Sequence, residues 1–389
     1  MSDALILSTA RTPIGRARKG SLVGVDAYEL AEVVVSAALT RSGVPADALD
    51  DLILAESLQG GGVIARNVAV RLGMFSVPGV AVNRHCASGI TSVQLAAATI
   101  MSGMADAILA GGTESASTSP RLTKVLPGSS EPVSWIPHSH PDRPDVPAMD
   151  MSVTIGENIA RLAGVTREQA DQWAARSHQR AVDAIDKGYF AEEIVPVPIT
   201  VDEVPTLFST DEHPRRDTTQ EKLADLKVLH PEIPGAVVTA GNSSGINDAA
   251  AAMVLGSAEF ARAHDLLPLA RVRSWASVGV EVQRTGLAPT LAIPRALTRC
   301  GLSIDDVDLV EINEAFATVA VACTRDLGLD ESIVNVNGSG CSLGHPIAAT
   351  GARMLVSMVH ELARRDARIG VVSMCAGGGM GSALVVERL

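Results

Sequence analysis

Two cysteines and one histidine stand where their side chains could do chemistry. In SMCAGGGMG, Ser373 to Gly381, Cys375 ends the apolar run RIGVVSM, and four of the next six residues are glycine. Cys86 closes a similar apolar run in GVAVNRHCASG and is followed at once by a helix-like stretch. A thiolate is the nucleophilic form of cysteine, and a helix N-terminus lowers a thiol pKa, so reactivity is expected at Cys86. His345 lies in GSGCSLGHP, held between Gly344 and Pro346, where an imidazole could deprotonate a thiol or hold a thioester oxygen. Asn313 and Glu314 end the strand-like run of EINEAFA and could orient a water or the histidine. Glycines 377, 378 and 379 would let backbone N–H groups approach a developing negative oxygen. Each residue also has an ordinary reading alone: an inert buried thiol, or a helix cap.

The elements that must position these residues alternate. Strand-like runs (DALILSTAR, LDDLILAES, GVAVN, DAILAGGTES) separate helix-like ones: residues 28–43, VIARNVAVRLG and GITSVQLAAATIMSGMA. This alternation predicts crossover units and a largely parallel sheet. From about residue 118 the texture turns irregular and proline-rich, with one amphipathic helix, REQADQWAARSHQRAVDAIDKG, preceded by Thr166 and acidic residues as its cap. The apolar pattern resumes at NDAAAAMVLGS. ALTRSG at 38–43 and ALTRCG at 296–301 match at five of six positions, and each precedes a short polar link and an apolar strand. A duplication follows: two α/β domains of one design. The loop at His345 reads as the start of a helix from about Ile347, with Pro346 in its first turn. Its glycine spacing, 338, 340 and 344, departs from the dinucleotide-binding fingerprint.

The bulk composition narrows the function classes. The chain has 389 residues, 47% of them hydrophobic and 20% charged, which describes a globular protein of two to three domains' length. Aromatics are 3%, so the core is aliphatic and small. A formal net charge of −12 argues against nucleic acid and anionic membranes as partners, while leaving a small anionic ligand open. The five cysteines, at 86, 300, 323, 341 and 375, form no CxxC pair, so no metal site is expected. No basic leader and no 18-residue apolar stretch is found, so reduced thiols, a cytoplasmic location and no membrane span are expected.

Eight blocks in order resemble the thiolase family: RTPIG (11–15), NRHCASG (83–89), GGTESAS (111–117), DEHPRRDTTQEKLADLKV (211–228), TAGNSSGINDAAA (239–251), EINEAFA (311–317), NVNGSGCSLGHP (335–346) and CAGGGMG (375–381). The resemblance implies a thiolase-like α/β fold: two duplicated domains packed as a five-layer αβαβα core with an inserted loop domain. On that pattern residues 1–117 plus 247–267 form the N-terminal domain, 118–246 the insertion with coenzyme A and oligomer contacts, and 268–389 the C-terminal domain. It implies ping-pong acyl transfer with coenzyme A as substrate, no permanently bound cofactor, and a homodimer or homotetramer.

Carried over residue by residue, Cys86 is the acyl-carrying nucleophile and Cys375 the general acid/base. His345 activates Cys86 and donates to the thioester oxygen, and Asn313 holds an oxyanion water. Backbone N–H groups of Cys86 and Gly377 form a second oxyanion site. Ser244 lines the pantetheine path, and Arg215 and Arg216, with Lys222 and Lys227 near them, meet the nucleotide end. Asp150, Met151 and Ser152, and the proline-rich loop 119–148, depart from the short-chain biosynthetic pattern. They lean the expectation toward reversible cleavage of a longer or unusual 3-oxoacyl-CoA, with a short-chain acetyl-CoA C-acetyltransferase as the alternative. A carrier-protein ketosynthase is disfavoured, because Asn313 stands where a second histidine is usual and a second cysteine is present. A non-catalytic lipid-binding relative is disfavoured because both cysteines and the histidine are intact.

Overall fold

The computed structural model describes residues 3–59 and 61–389; residues 1, 2 and 60 of the predicted N-terminal domain lie outside them. The first half runs β1 (Ala4–Arg11), α1 (Ala27–Ser42), β2 (Asp51–Ala55), α2 (Ile64–Arg71), β3 (Gly79–Val82), α3 (Ser88–Met101) and β4 (Ala107–Ser115). After the insertion, whose main helix is α4 (Arg167–Asp186), β5 (Asn247–Ser257) completes it. The second half runs β6 (Ala270–Gly279), α5 (Pro289–Arg299), β7 (Leu309–Ile312), α6 (Ala317–Asp326), α7 (Thr350–Arg364), β8 (Ile369–Ala376) and β9 (Met380–Arg388).

The repeat seen in the sequence is a repeat of structure. ALTR ends α1 in one half and α5 in the other, and Gly43 and Gly301 follow in the left-handed region at φ 70° and 73°. Downstream, Asp50 accepts from the N–H groups of Asp106 and Ala107 at 2.6 and 3.0 Å. Asp308 accepts from those of Arg368 and Ile369 at 2.9 and 2.8 Å. The same carboxylate thus ties the start of the second strand to the start of its parallel neighbour in both halves, β4 in the first and β8 in the second.

The main sheet is continuous, in the order β7-β8-β9-β6-β1-β5-β4-β2-β3. Three residue pairs between β1 and β6 join the halves, Ala4 to Val272, Leu5 to Arg271 and Ile6 to Ala270. The expected largely parallel sheet is instead mixed. Helical crossovers make β2–β3, β2–β4 and β7–β8 parallel, whereas β8–β9, β6–β9, β1–β5, β4–β5 and the joint are antiparallel. A parallel neighbour needs a long crossover, and β8 passes to β9 through only Gly377–Gly379. The insertion adds no strand to the main sheet: its hairpins, 122–135 and 197–208, stand apart as two-stranded ribbons. The cap of α4 is a full capping box, with Gln169 and not an acidic residue as the partner of Thr166.

Helices α3 and α7 lie between the two halves of the sheet, and α1 and α2 on one side and α5 and α6 on the other complete five layers. The central layer packs Ile90, Val93 and Ala97 of α3 with Met354, Leu355 and Met358 of α7. The first turns of these helices touch at glycines. A Cβ on Gly89 would lie 2.7 Å from both Ala348 O and Ala352 N, and one on Gly351 would lie 2.5 Å from Ile90 N. The obstructing atoms are backbone, so Gly89→Val should lower stability by about 1–3 kcal/mol or more. A urea midpoint for that variant equal to the unsubstituted chain's would contradict this packing. Gly24→Ala, with no atom within 4 Å of its added Cβ, is the control expected to leave the midpoint in place.

Candidate active site

Cys86 sits on a sharp elbow between β3 and α3. His85 before it has φ 47°, a region that costs a non-glycine residue energy, and local hydrogen bonds hold it there. Asn83 Oδ1 accepts from His85 N at 2.9 Å, while Ser88 Oγ donates to His85 O at 2.6 Å and accepts from Arg84 N at 2.7 Å. The Cys86 sulfur accepts from the backbone N–H groups of Gly377 and of Cys86 itself. Its thiol is nonetheless pushed up to about 11, because burial outweighs those two donors. The expectation of a depressed pKa is therefore corrected. Helix α3 begins only at Ser88, two residues on, and its terminal field does not offset desolvation.

Cys375 is fully buried near the end of β8, paired with Gly381 across the β8–β9 hairpin. Burial and then the neighbouring Cys86 push its thiol well up. The hairpin turns on Gly378 and Gly379 at φ 86° and 77°. A Cβ on Gly378 would lie 2.5 Å from Ser139 O and one on Gly379 2.2 Å from Val280 O, so this turn admits glycine alone at both places.

The histidine loop differs from its expectation in one respect. Helix α7 starts at Thr350 rather than near Ile347, so Pro346 precedes the helix. His345 N donates to Asn247 Oδ1 at 3.0 Å. Thr350 Oγ1 lies 2.8 Å from Pro346 O, to which it can donate, and 2.7 Å from His345 Nδ1. When the hydroxyl donates to Pro346 O, Nδ1 carries the imidazole proton and Nε2 is bare. Burial, with Arg353 second, lowers His345 to about 4, which keeps the ring neutral.

His345 Nε2 and both side-chain polar atoms of Asn313 are buried without any hydrogen-bond partner. Such orphaned groups are costly unless a ligand or water completes them. Asn313 is fixed by its own N–H to Ser373 O at 3.0 Å. Its neighbour Glu314 is saturated by Trp173, Ser177, Asn335 and the N–H of Cys341, and so ties α4 to both loops.

A cleft of about 680 Å³ opens beside these loops. Ser244 and Arg215 line it, as does Lys222. Arg216 and Lys227 do not, and Arg216 is instead held bidentately by Asp186 at 2.6 and 2.7 Å. Ile246, also in the cleft wall, pairs with His345 as an isolated β-bridge, whereas Cys86, Asn313, His345 and Cys375 do not themselves line the cleft. His178 and His213 line it as well; burial, with nearby cationic side chains, lowers them to about 4 and about 3. Sequence reasoning missed these two, and it missed Thr350, Asn247, Arg16, Arg18 and Lys19. Only the RARK charge cluster after RTPIG, and Thr350 at the head of a helix following GHP, carried a readable signal. Among the described residues no cluster of three or more His, Cys, Asp or Glu is arranged to hold a metal, and no helix is long and apolar enough to cross a membrane.

Duplicated α/β halves, two neighbouring thiols, and an unpartnered buried imidazole and amide define an acyl-transferring enzyme of the thiolase type. The chain belongs to the thiolase family: residues 4–259 match the model of the thiolase N-terminal domain and 266–388 that of the C-terminal domain. It is 42% identical over 401 residues to a 3-ketoacyl-CoA thiolase of Bacillus subtilis, covering 100% of both chains. It is 42% identical over 399 residues to an acetyl-CoA acetyltransferase of Cupriavidus necator, again covering 100% of both. The crystal structure of the Bacillus anthracis acetyl-CoA acetyltransferase superposes with a TM-score of 0.92 at 39% identity, covering 100% of this chain and 99% of that one.

Two outcomes are expected from this geometry. With Cys86 at about 11, its alkylation by iodoacetamide should climb about tenfold per pH unit from pH 7 to 10; a plateau by pH 8 would show a thiolate already formed at rest. Thr350→Val removes the hydroxyl beside His345 Nδ1. Single-turnover acylation should slow about tenfold with unchanged substrate affinity, and Thr350→Ser should restore it.

Proposed function

We propose that this enzyme is an acetyl-CoA C-acetyltransferase, joining two acetyl groups into acetoacetyl-CoA and cleaving that product in reverse. The observations that support the acyl-transfer chemistry are two neighbouring thiols, Cys86 and Cys375, and the unpartnered buried His345 Nε2 and Asn313 amide. In the first half-reaction His345 Nε2 takes the proton of Cys86. The thiolate attacks the thioester carbonyl, whose negative oxygen is met by the N–H groups of Cys86 and Gly377, while the imidazolium N–H and a water held on Asn313 are left to meet the enolate oxygen of the second acetyl-CoA. The leaving coenzyme A thiolate takes the proton of Cys375. The acyl oxygen of the new thioester is met by the N–H groups of Cys86 and Gly377, which acylation releases from the sulfur.

In the second half-reaction the Cys375 thiolate removes the α-proton of a second acetyl-CoA. The carbanion attacks the acyl group, a carbon–carbon bond forms, and Cys86 leaves and recovers its proton from His345. Protons and charge balance over the cycle, and no bound cofactor takes part.

Crowding at the glycine turn supports a short acyl group. A Cβ at Gly377 would lie 3.2 Å from Ser139 Oγ and 3.9 Å from Met151 Sδ, so little space remains on that side. The names of most of the similar relatives point the same way, against the weight that the 119–148 loop and Asp150–Ser152 gave to longer chains. Cleavage of longer 3-oxoacyl-CoAs is the second reading. It is supported by the 3-ketoacyl-CoA thiolase relative and by Met151, a flexible side chain that can yield to a larger group. A cytoplasmic homodimer or homotetramer completes the reading: β3 is an edge strand, and its Val80 is 43% exposed.

Incubation with acetyl-CoA should add one acetyl group to the intact chain and none to Cys86→Ala. Cys375→Ser should still take up the acetyl group but lose condensation by about a hundredfold or more. Near-normal condensation by Cys375→Ser would remove Cys375 from the proton-transfer role. A series of 3-oxoacyl-CoAs should show kcat/KM falling beyond four carbons, and a rise with length would favour the second reading.

A further inference from the structure

Asp150 and Ser152 flank Met151 in the sequence, and the acyl-transfer chemistry uses neither of them. Met151 reaches the glycine turn, its sulfur 3.9 Å from the Cβ position of Gly377. The next six residues, Ser152–Glu157, form a π-helical turn that runs on into the short helix Asn158–Ala163. A π turn has poorer hydrogen-bond geometry than an α turn, is rare, and concentrates at functional sites. Here contacts from outside the helix hold it at both ends.

At the first end, Asp150 Oδ1 accepts from Ser152 N at 3.0 Å and from Ser152 Oγ at 2.5 Å. The same hydroxyl stands 2.6 Å from His230 Nε2, and Asp150 Oδ2 lies 3.4 Å from that nitrogen. His230 Nδ1 donates to Glu232 Oε1 at 3.0 Å, which leaves Nε2 to face Ser152. At the other end the buried Glu157 accepts from the N–H groups of Val237 and Val238 at 3.0 and 2.9 Å. Residues 230–238 thus grip the turn twice. Between the two grips lies a cavity of about 400 Å³, lined by Val153, Glu157, Ile233 and Pro234 among others. Gly156 O, within the turn, accepts from Thr318 Oγ1 at 3.1 Å, five residues beyond Asn313.

Successive residues of a helix stand about 100° apart around its axis. Rewinding the π turn into α form displaces the chain before it by one residue, which would swing Met151 through about that angle and off the glycine turn. The cavity leaves room for such a change, and the two grips oppose it. We propose that His230 and Ser152, with Asp150 between them, form a brace that keeps the turn in its π form and Met151 against Gly377, and that this brace sets the length of acyl chain the enzyme accepts. The proposal rests on the acetyl-transfer reading and names what enforces its short chain. His230 and Ser152 touch no reacting atom; they are positioning residues that act through Met151.

The test is thiolytic cleavage of four- and six-carbon 3-oxoacyl-CoAs by the full chain, read as the ratio of kcat/KM for six carbons to that for four. His230→Ala removes the ring from both its partners. Ser152→Ala removes the hydroxyl but keeps the N–H that Asp150 accepts from. Each should raise the ratio about tenfold, the scale on which a pocket discriminates methylene groups, with kcat for four carbons within about threefold of the parent's. His230→Gln, whose amide reaches the place of Nε2, should bring the ratio back to within about threefold of the parent's. Met151→Ala should raise the ratio by itself, and His230→Ala added to it should change nothing further, because residues acting through one group are not additive. An unchanged ratio in the single variants, or an equal rise from His230→Ala with and without Met151, would overturn the brace. Should His230→Ala lose its cooperative thermal transition, Ser152→Ala decides by the same ratio. A parent that cleaves six carbons as readily as four would overturn the short-acyl reading, and the brace with it; an unchanged ratio beside a four-carbon preference overturns the brace alone.

Discussion

The close approach of α3 and α7 at Gly89 and Gly351 is the constraint on which the remainder of the site depends. Two helix starts can meet at backbone contact only where neither carries a side chain. Cys86 lies three residues before one of these glycines and His345 six before the other, so the approach of the helices brings the two loops together. The strand ends follow: a Cβ on Gly112, near the end of β4, would lie 2.2 Å from Ala348 O, in the turn that precedes α7. Glu114, two residues on, bridges the halves, accepting from Ala348 N and from Leu58 N, both at 3.1 Å. Burial pushes that carboxylate up to about 7, and its charge in turn raises the Cys86 thiol.

This packing makes the inner chamber electrically quiet. Burial raises both thiols and lowers the imidazole, so charge is disfavoured on each group before substrate arrives. In the proposed mechanism the cost of creating a thiolate is deferred to the moment when a thioester oxygen can take up the negative charge. In that mechanism the donors that receive it are a buried imidazole beside Thr350, a buried amide, and two backbone N–H groups. Preorganised donors in a low-dielectric site need no rearrangement as the charge moves. The cleft has a different character, lined by Arg16, Arg18, Lys19, Arg215 and Lys222 against the single carboxylate of Asp217.

Stability and function share one buried polar framework. Arg11, Glu193 and Asp211 tie β1 to the insertion, and Glu311 with Arg353 ties β7 to α7. Breaking one partner of such a pair leaves a buried charge uncompensated and is strongly destabilising. The Glu314 network has the same design, so the insertion helix α4, remote in sequence, fixes the segment that carries Asn313. Loops carrying reactive groups are thereby held by charge-assisted bonds from three separate parts of the chain.

Local chemistry and repetition were legible in the sequence. The two cysteines in glycine-rich settings, the Gly-His-Pro turn, the strand–helix alternation and the duplicated ALTR endings each depend on neighbours within a few residues, and a linear reading reaches that far. Strand direction did not follow, because β5 and β9 join the sheet antiparallel through an insertion and a three-residue turn whose outcome is set by packing. Thr350 as the hydroxyl beside His345 Nδ1, Asn247 as the brace of the histidine loop, Arg16 to Lys19 as part of the cleft's lining, and the removal of Arg216 from it by Asp186 were decided by tertiary contacts. The same holds for the Cys86 pKa. A helix start can be read from residue types, but how far a sulfur is desolvated depends on atoms nearly three hundred positions away, and only the folded chain brings Gly377 and its hairpin against it.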